Sequence, residues 1–262
     1  MMNENDITAK IDAAADAIVK AGRIVVFTGA GVSTESGIPD FRSPGGIWTK
    51  FDPEDFTIQK FLSSEDSRKK QWKLLVEGGL FGKMAPNPAH YAIAELEKLG
   101  TLDCVITQNI DNLHQKAGNS PDIVFELHGN MQWVVCLHCG KRYPTEKIIT
   151  ILKSGVEVPE CDHCGGMLKP DVVFFGESLP YKTLNTAIER SKRSDLFIAI
   201  GSSLVVTPAA YMPSYALESG AKLIIINIGE TSFDKKAHIL IEGKAGEIMT
   251  KIMQKVNALL CA

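Results

Sequence analysis

The apolar run Ile24-Val25-Val26-Phe27-Thr28 passes straight into Gly29-Ala30-Gly31-Val32-Ser33-Thr34-Glu35-Ser36-Gly37-Ile38-Pro39-Asp40-Phe41-Arg42. A buried strand ending in a Gly-rich turn is how α/β proteins bring backbone N–H groups close to a phosphate. The ordinary dinucleotide fingerprint is Gly-x-Gly-x-x-Gly, but here the third glycine arrives late, at Gly37. The string continues into Pro39-Asp40-Phe41-Arg42, for which hydride transfer has no use at that place. A Gly-rich turn alone is weak evidence of a ligand, because structural turns use the same residues. The whole string is far more specific.

Periodicity predicts a doubly wound parallel sheet. Asn5 or Asp6 can cap a helix whose apolar stripe is Ile7, Ile11, Ala14, Ala15, Ile18 and Val19, with Gly22 ending it. Asn87-Pro88 opens a second helix, Ala89 to Leu99. Strand-like runs recur at 24–28, 103–107, 123–127, 196–200 and 223–228, with helix-compatible stretches at 208–219 and 245–260. Strands alternating with helices read as βαβ units. Residues 43–86 break the alternation with a turn, Ser43-Pro44-Gly45-Gly46, and short helical pieces. A dehydrogenase wants an acidic residue about 20 positions on at the end of a second strand, and no second strand follows the glycine turn.

The second interruption, 132–168, is built on Cys136-x-x-Cys139 and Cys161-x-x-Cys164, with 21 residues between the pairs. Each pair is followed by a glycine, Gly140 or Gly165, and forms a knuckle that can aim two thiolates at one tetrahedral metal. Structural zinc is the reading, with a redox dithiol as the other. Four protein ligands leave no open coordination position, so such a metal holds structure and does no chemistry. His138 and His163 sit inside the knuckles as alternative ligands. Cys104 falls in an apolar strand and Cys261 at the terminus, and neither reads as a nucleophile.

Two polar strings fall at strand ends, where α/β sheets place ligands: Thr107-Gln108-Asn109-Ile110-Asp111-Asn112-Leu113-His114 and Glu126-Leu127-His128-Gly129. His128 is the natural general base, since imidazole titrates near neutral pH. His114 is its rival.

The net charge of −3 gives no electrostatic reason for direct nucleic-acid binding, and the cluster Arg68-Lys69-Lys70 reads as a solvated helix face. No apolar run approaches the roughly 20 residues of a membrane span. The start Met1-Met2-Asn3-Glu4-Asn5-Asp6 is polar and unlike a signal peptide, so a cytoplasmic location is the default expectation.

Taken in order from Val25 to Met249, these strings resemble the sirtuins, the NAD-dependent protein-lysine deacylases. Phe174-Phe175-Gly176-Glu177-x-Leu179-Pro180, Gly201-Ser202-Ser203-Leu204-x-Val206-x-Pro208-Ala209 and Asn227 add to the likeness. The cysteine spacing and the Ser43-Pro44 after Arg42 are minor variations. The resemblance implies a Rossmann-like NAD-binding domain from 1–42, 87–131 and 169–262. A cofactor-loop and helical module (43–86) and a zinc-ribbon module (132–168) would be inserted into it.

The resemblance also implies roles. Cys136, Cys139, Cys161 and Cys164 would hold one structural zinc. His128 would deprotonate a ribose hydroxyl, Asn109 would position the nicotinamide ribose and a water, and Asp111 would bind the nicotinamide carboxamide. Phe41 would shield C1′. Gly29, Ala30, Gly31, Ser33, Thr34 and Arg42 would approach the diphosphate. Gln108, Ile110, Gly201, Ser202, Ser203, Asn227, Ile228 and Ala245 would complete the NAD contacts. Val173, Phe175, Gly176 and Val206 belong to the edges Val173–Gly176 and Leu204–Val206, between which an acyl-lysine peptide would add as a strand; Phe174 reads as core. The implied products are free lysine, nicotinamide and O-acyl-ADP-ribose.

Succinyl- and malonyl-preferring sirtuins resemble one another in a closely spaced Tyr and Arg. The stretch Gln71-Trp72-Lys73-Leu74-Leu75-Val76-Glu77-Gly78 has neither at that spacing, so acetyl and longer uncharged acyl groups are the expected substrates. A sirtuin-fold ADP-ribosyltransferase is the nearest rival function, and a zinc-ribbon nucleic-acid module the rival from another class.

Overall fold

A computed structural model describes residues 4–41, 43–77 and 84–261. Helix α1 (Glu4–Lys20) leads into β1 (Ile24–Thr28). Helices α2 (Ile58–Ser63) and α3 (Glu65–Val76) follow, capped by the Thr57 and Ser64 hydroxyls. α4 (Pro88–Lys98) starts where the sequence predicts, with the Asn87 side chain accepting from Ala89 N at 2.9 Å. Next come β2 (Leu102–Thr107), α5 (Leu113–Ala117), β3 (Val124–Glu126), β4 (Gly129–Cys136), β5 (Arg142–Pro144), α6 (Thr145–Lys153) and β6 (Leu168–Val172). The chain closes with α7 (Tyr181–Lys192), β7 (Leu196–Ile200), α8 (Met212–Glu218), β8 (Lys222–Asn227), β9 (Ile239–Glu242) and α9 (Ala245–Leu260).

The main sheet has six parallel strands in the order β3-β2-β1-β7-β8-β9. β1 is buried at every position, and its side chains alternate between two cores. Ile24 and Val26 face the core built with α1, α4 and α9, whereas Val25 and Phe27 face the one containing Ala187, Met212 and Ala216. The sheet runs from β1 to β2 and β3 on one side and from β7 to β9 on the other, so its switch point lies between β1 and β7. Doubly wound folds bind ligands at the carboxyl ends of strands at such a point.

A second sheet, β5-β4-β6, is antiparallel and carries the cysteines. It extends beyond 132–168, from Gly129 to Val172, because Gly129 pairs with Val172. Its small core holds Val134, Cys136, Tyr143, Ile148, Cys161 and Leu168, and Trp72 of α3 is buried in it. The helical and cysteine-bearing segments therefore share packing. No helix among the described residues is long and apolar enough to cross a membrane.

Candidate active site

At the switch point a cleft of about 1090 Å³ opens, and nearly every residue expected from the sequence lines it. These are Ala30, Gly31, Ser33, Thr34, Phe41, Gln108, Asn109, Ile110, Asp111 and His128. From the second half of the chain come Val173, Phe175, Gly176, Gly201, Ser202, Ser203, Val206, Asn227, Ile228 and Ala245. Arg42 lies outside the described residues. Gly29 does not line the cleft but supports it. Gly29 N donates to Ile200 O at 3.1 Å and Gly31 N to Gly201 O at 2.8 Å. A Cβ on Gly29 would stand 2.8 Å from Gly201 O, and one on Gly31 2.7 Å from Gly201 Cα. These two N–H groups and the lack of side chains press the turns after β1 and β7 together.

A polar node sits on this turn. Ser33 Oγ donates to Asp111 Oδ2 at 2.7 Å and accepts from Asn109 Nδ2 at 3.1 Å, while Asn109 Nδ2 also reaches Gly29 O. Ser33 therefore orients both the amide and the carboxylate expected to carry chemistry. Asn112, at φ 63°, occupies the left-handed region that Asn tolerates and turns the chain into α5. His128 Nδ1 lies 2.9 Å from the Gln108 carbonyl, which can only accept. The proton is thus on Nδ1, and the Nε2 lone pair is left as the basic atom. Burial lowers the His128 pKa, opposed by that backbone bond, so the imidazole is neutral at neutral pH. Ser202 Oγ donates to Gln108 Oε1 at 2.8 Å, linking the two turns.

His114 takes no part in the cleft. It is 1% exposed, with Nε2 2.9 Å from Thr28 Oγ1. Its ring centroid lies 5.1 Å from that of His90, a buried residue behind Ser33 that sequence reading passed over. Burial pushes His90 down to about 4 and His114 down to about 3. Both stay neutral in the fold, whereas in the unfolded chain each takes up a proton near pH 6.5. Stability is therefore full above about pH 6.5 and falls as pH drops toward these depressed values, by roughly 2 kcal/mol per histidine at pH 5. The expected result is a melting temperature that declines steadily from pH 7 to pH 5 by calorimetry; a flat profile over that range contradicts it.

Phe41 and Phe175, both expected at the site, are joined into an aromatic wall by Trp48 and Phe56, which sequence reading does not single out. Trp48 lies 5.2 Å from Phe41, 5.6 Å from Phe56 and 5.8 Å from Phe175, centroid to centroid. Its only signal was an isolated Trp near the Gly-rich turn. Phe174 and Phe175 point opposite ways, at 6% and 48% exposure, in agreement with the reading of Phe174 as core. Val173 N donates to His128 O at 2.8 Å, which joins this edge to the base.

The four cysteines converge. Their Sγ atoms all lie within 4.8 Å of one another, with Cys136–Cys164 at 3.6 Å and Cys139–Cys161 at 3.7 Å. Zn–S bonds of about 2.3 Å give a tetrahedron with edges of about 3.8 Å, so the site fits zinc. The two knuckles match: Gly140 N returns to Cys136 O and Gly165 N to Cys161 O, each glycine at positive φ. His138 and His163 are exposed and outside the cluster. Cys104 is buried in the main core and Cys261 is exposed just past α9.

Residues 29–208 match the Sir2 family. The NAD-dependent protein deacetylase 1 of Pyrobaculum aerophilum is 46% identical over 97% of this chain and 97% of its own length. The NAD-dependent protein deacylase 2 of Archaeoglobus fulgidus is 45% identical over 95% of this chain and 97% of its own. A solved structure of Sir2 with a p53 peptide and NAD+ is 40% identical and superposes with a TM-score of 0.82, covering 93% of this chain and 97% of that one.

Proposed function

The chain belongs to the Sir2 family, and we propose that it removes acetyl and longer uncharged acyl groups from protein lysines. NAD is consumed as co-substrate, giving nicotinamide and O-acyl-ADP-ribose. The observation that carries this reading is the neutral His128 with Nε2 free, in one cleft with the Ser33-Asn109-Asp111 node. When bound, NAD supplies a ribose C1′ bearing a cationic leaving group. This chain's residues do the rest. Asp111 and Asn109 orient the nicotinamide end, and Ser202, Ser203, Asn227 and Ala245 hold the ribose, phosphate and adenine portions. The wall of Phe41, Trp48 and Phe175 excludes water, which would otherwise compete for C1′. His128 Nε2 takes a ribose hydroxyl proton so that the oxygen can accept the acyl group. The peptide adds as a strand between the edges Val173–Gly176 and Leu204–Val206.

One structural zinc on the four cysteines would hold the small sheet and supply no chemistry. The same reading divides the chain into a Rossmann-like domain (1–42, 87–131, 169–262), a helical module (43–86) and a zinc ribbon (132–168), working in the cytoplasm.

Acyl preference follows from the cleft wall. Leu74, Leu75 and Val76 of α3, Met131 of β4 and Ile149 of α6 line it, and no arginine does among the described residues. A distal carboxylate entering such a wall loses hydration without a bidentate partner. On one peptide carrying acetyl-, butyryl- or succinyl-lysine, kcat/KM is expected to be highest for the uncharged groups, with succinyl lower by tenfold or more, or about 1.4 kcal/mol. Equal or better turnover of the succinyl peptide refutes this preference.

A further inference from the structure

The segment leaving β6 closes on itself through one buried ammonium. Lys169 is 4% exposed; its Nζ donates to the Val172 carbonyl and, at 2.9 Å, to Glu177 Oε2, and lies 4.4 Å from the Phe174 ring centroid. The same Glu177 oxygen accepts the Phe174 N–H at 2.7 Å, and Glu177 N donates back to Phe174 O at 3.0 Å. A buried ion pair is weak evidence of stabilisation, since well-packed apolar residues often serve a fold as well. What this pair does is fix a shape. Phe174 is drawn inward against Phe61, with centroids 5.4 Å apart, and Phe175 is left facing out. The backbone between them is anchored on both sides, by Val173 N to His128 O at 2.8 Å and by Phe175 N to Phe56 O at 3.0 Å.

Lys169 itself pairs in register with Val135, next to Cys136, so one side chain joins the cysteine-bearing sheet to this edge. Glu177 lines the cleft.

We propose that Lys169 and Glu177 are positioning residues for the acyl-peptide. They hold the edge Val173–Gly176 where a substrate strand pairs with it, and keep that edge in register with the His128 backbone. This rests on the reading of the edge as the peptide site.

The test measures kcat and KM for acetyl-peptide and for NAD, with melting temperatures, on the parent protein, Lys169→Met, Glu177→Gln and the double variant. Parent protein that makes no O-acetyl-ADP-ribose overturns the underlying deacylase reading, and the positioning role with it. With an active parent, the peptide KM is expected to rise on the order of tenfold in each variant while the NAD KM moves less than about twofold. Glu177→Gln leaves the buried Lys169 without its charge partner and Lys169→Met leaves the half-buried Glu177 without its own, and each lowers the melting temperature; the double variant regains most of that loss yet keeps the raised peptide KM. The positioning role alone is overturned by a double variant with the parent's peptide KM. It is equally overturned if both KM values rise together in step with lost stability, or if the double variant does not fold.

Discussion

His128→Ala is expected to lower the rate of deacetylation by roughly 10²–10⁴-fold while NAD binding stays within a few-fold of the parent. The imidazole holds its Nδ1 proton on the Gln108 carbonyl and offers only Nε2 to the cleft, so its loss removes a base. On the proposed reading, NAD contacts would be spread over the turns after β1, β2, β7 and β8, of which only the β2 turn meets the His128 ring, through the Gln108 carbonyl. The pH profile carries a second signature. Because burial lowers the His128 pKa, the neutral, competent form persists below the usual histidine range. Activity is therefore expected to persist to lower pH than an unperturbed histidine base would allow and to fall as pH drops through the depressed value. Near-normal turnover of the alanine variant at neutral pH contradicts the assignment.

Cys136→Ala is expected to abolish stoichiometric zinc and unfold the small sheet. Two of the four thiolates, Cys136 and Cys161, are themselves members of a small core. A structural zinc site contributes on the order of 10 kcal/mol to folding at pH 7. Trp72 of α3 is buried among the same residues, so its fluorescence should report the loss. Activity falls with it, since β4 and β6 carry the His128 and Val173 segments at their ends. Metal analysis of the purified parent is expected to give one zinc per chain. A clearly lower content, or a Cys136→Ala protein with parental melting temperature, contradicts the zinc reading.

The parts legible in the sequence had strong local signals. β1 is a continuous apolar run, α4 has its Asn-Pro start, and the cysteine pairs carry their glycines. Other elements escaped for identifiable reasons. α7 fully buries only Ala187 and Ser191, and its stripe of Leu184, Ala187 and Ile188 sits among mostly polar positions that lower its overall hydrophobicity. β9 is a four-residue edge strand with one fully buried position. β4 has an irregular register between Gly129 and Val134, which breaks the alternation that marks a strand. In the site, residue types were readable but their coupling was not. Ser33 was expected as a phosphate neighbour, yet it also orients Asn109 and Asp111, more than 70 positions away. His90 and Lys169 gave no signal, because a buried polar side chain looks the same in sequence as an exposed one.

The central claim is that the acyl group leaves lysine for the ribose of NAD, and following a label tests it most directly. The protein would be incubated with NAD labelled in its ADP-ribose portion and an acetyl-lysine peptide, and the products separated. The expected result is labelled O-acetyl-ADP-ribose, formed in equal amount to free nicotinamide and deacetylated peptide. Label attached to protein, with the acetyl group still on the peptide, would contradict the claim and make the chain an ADP-ribosyltransferase.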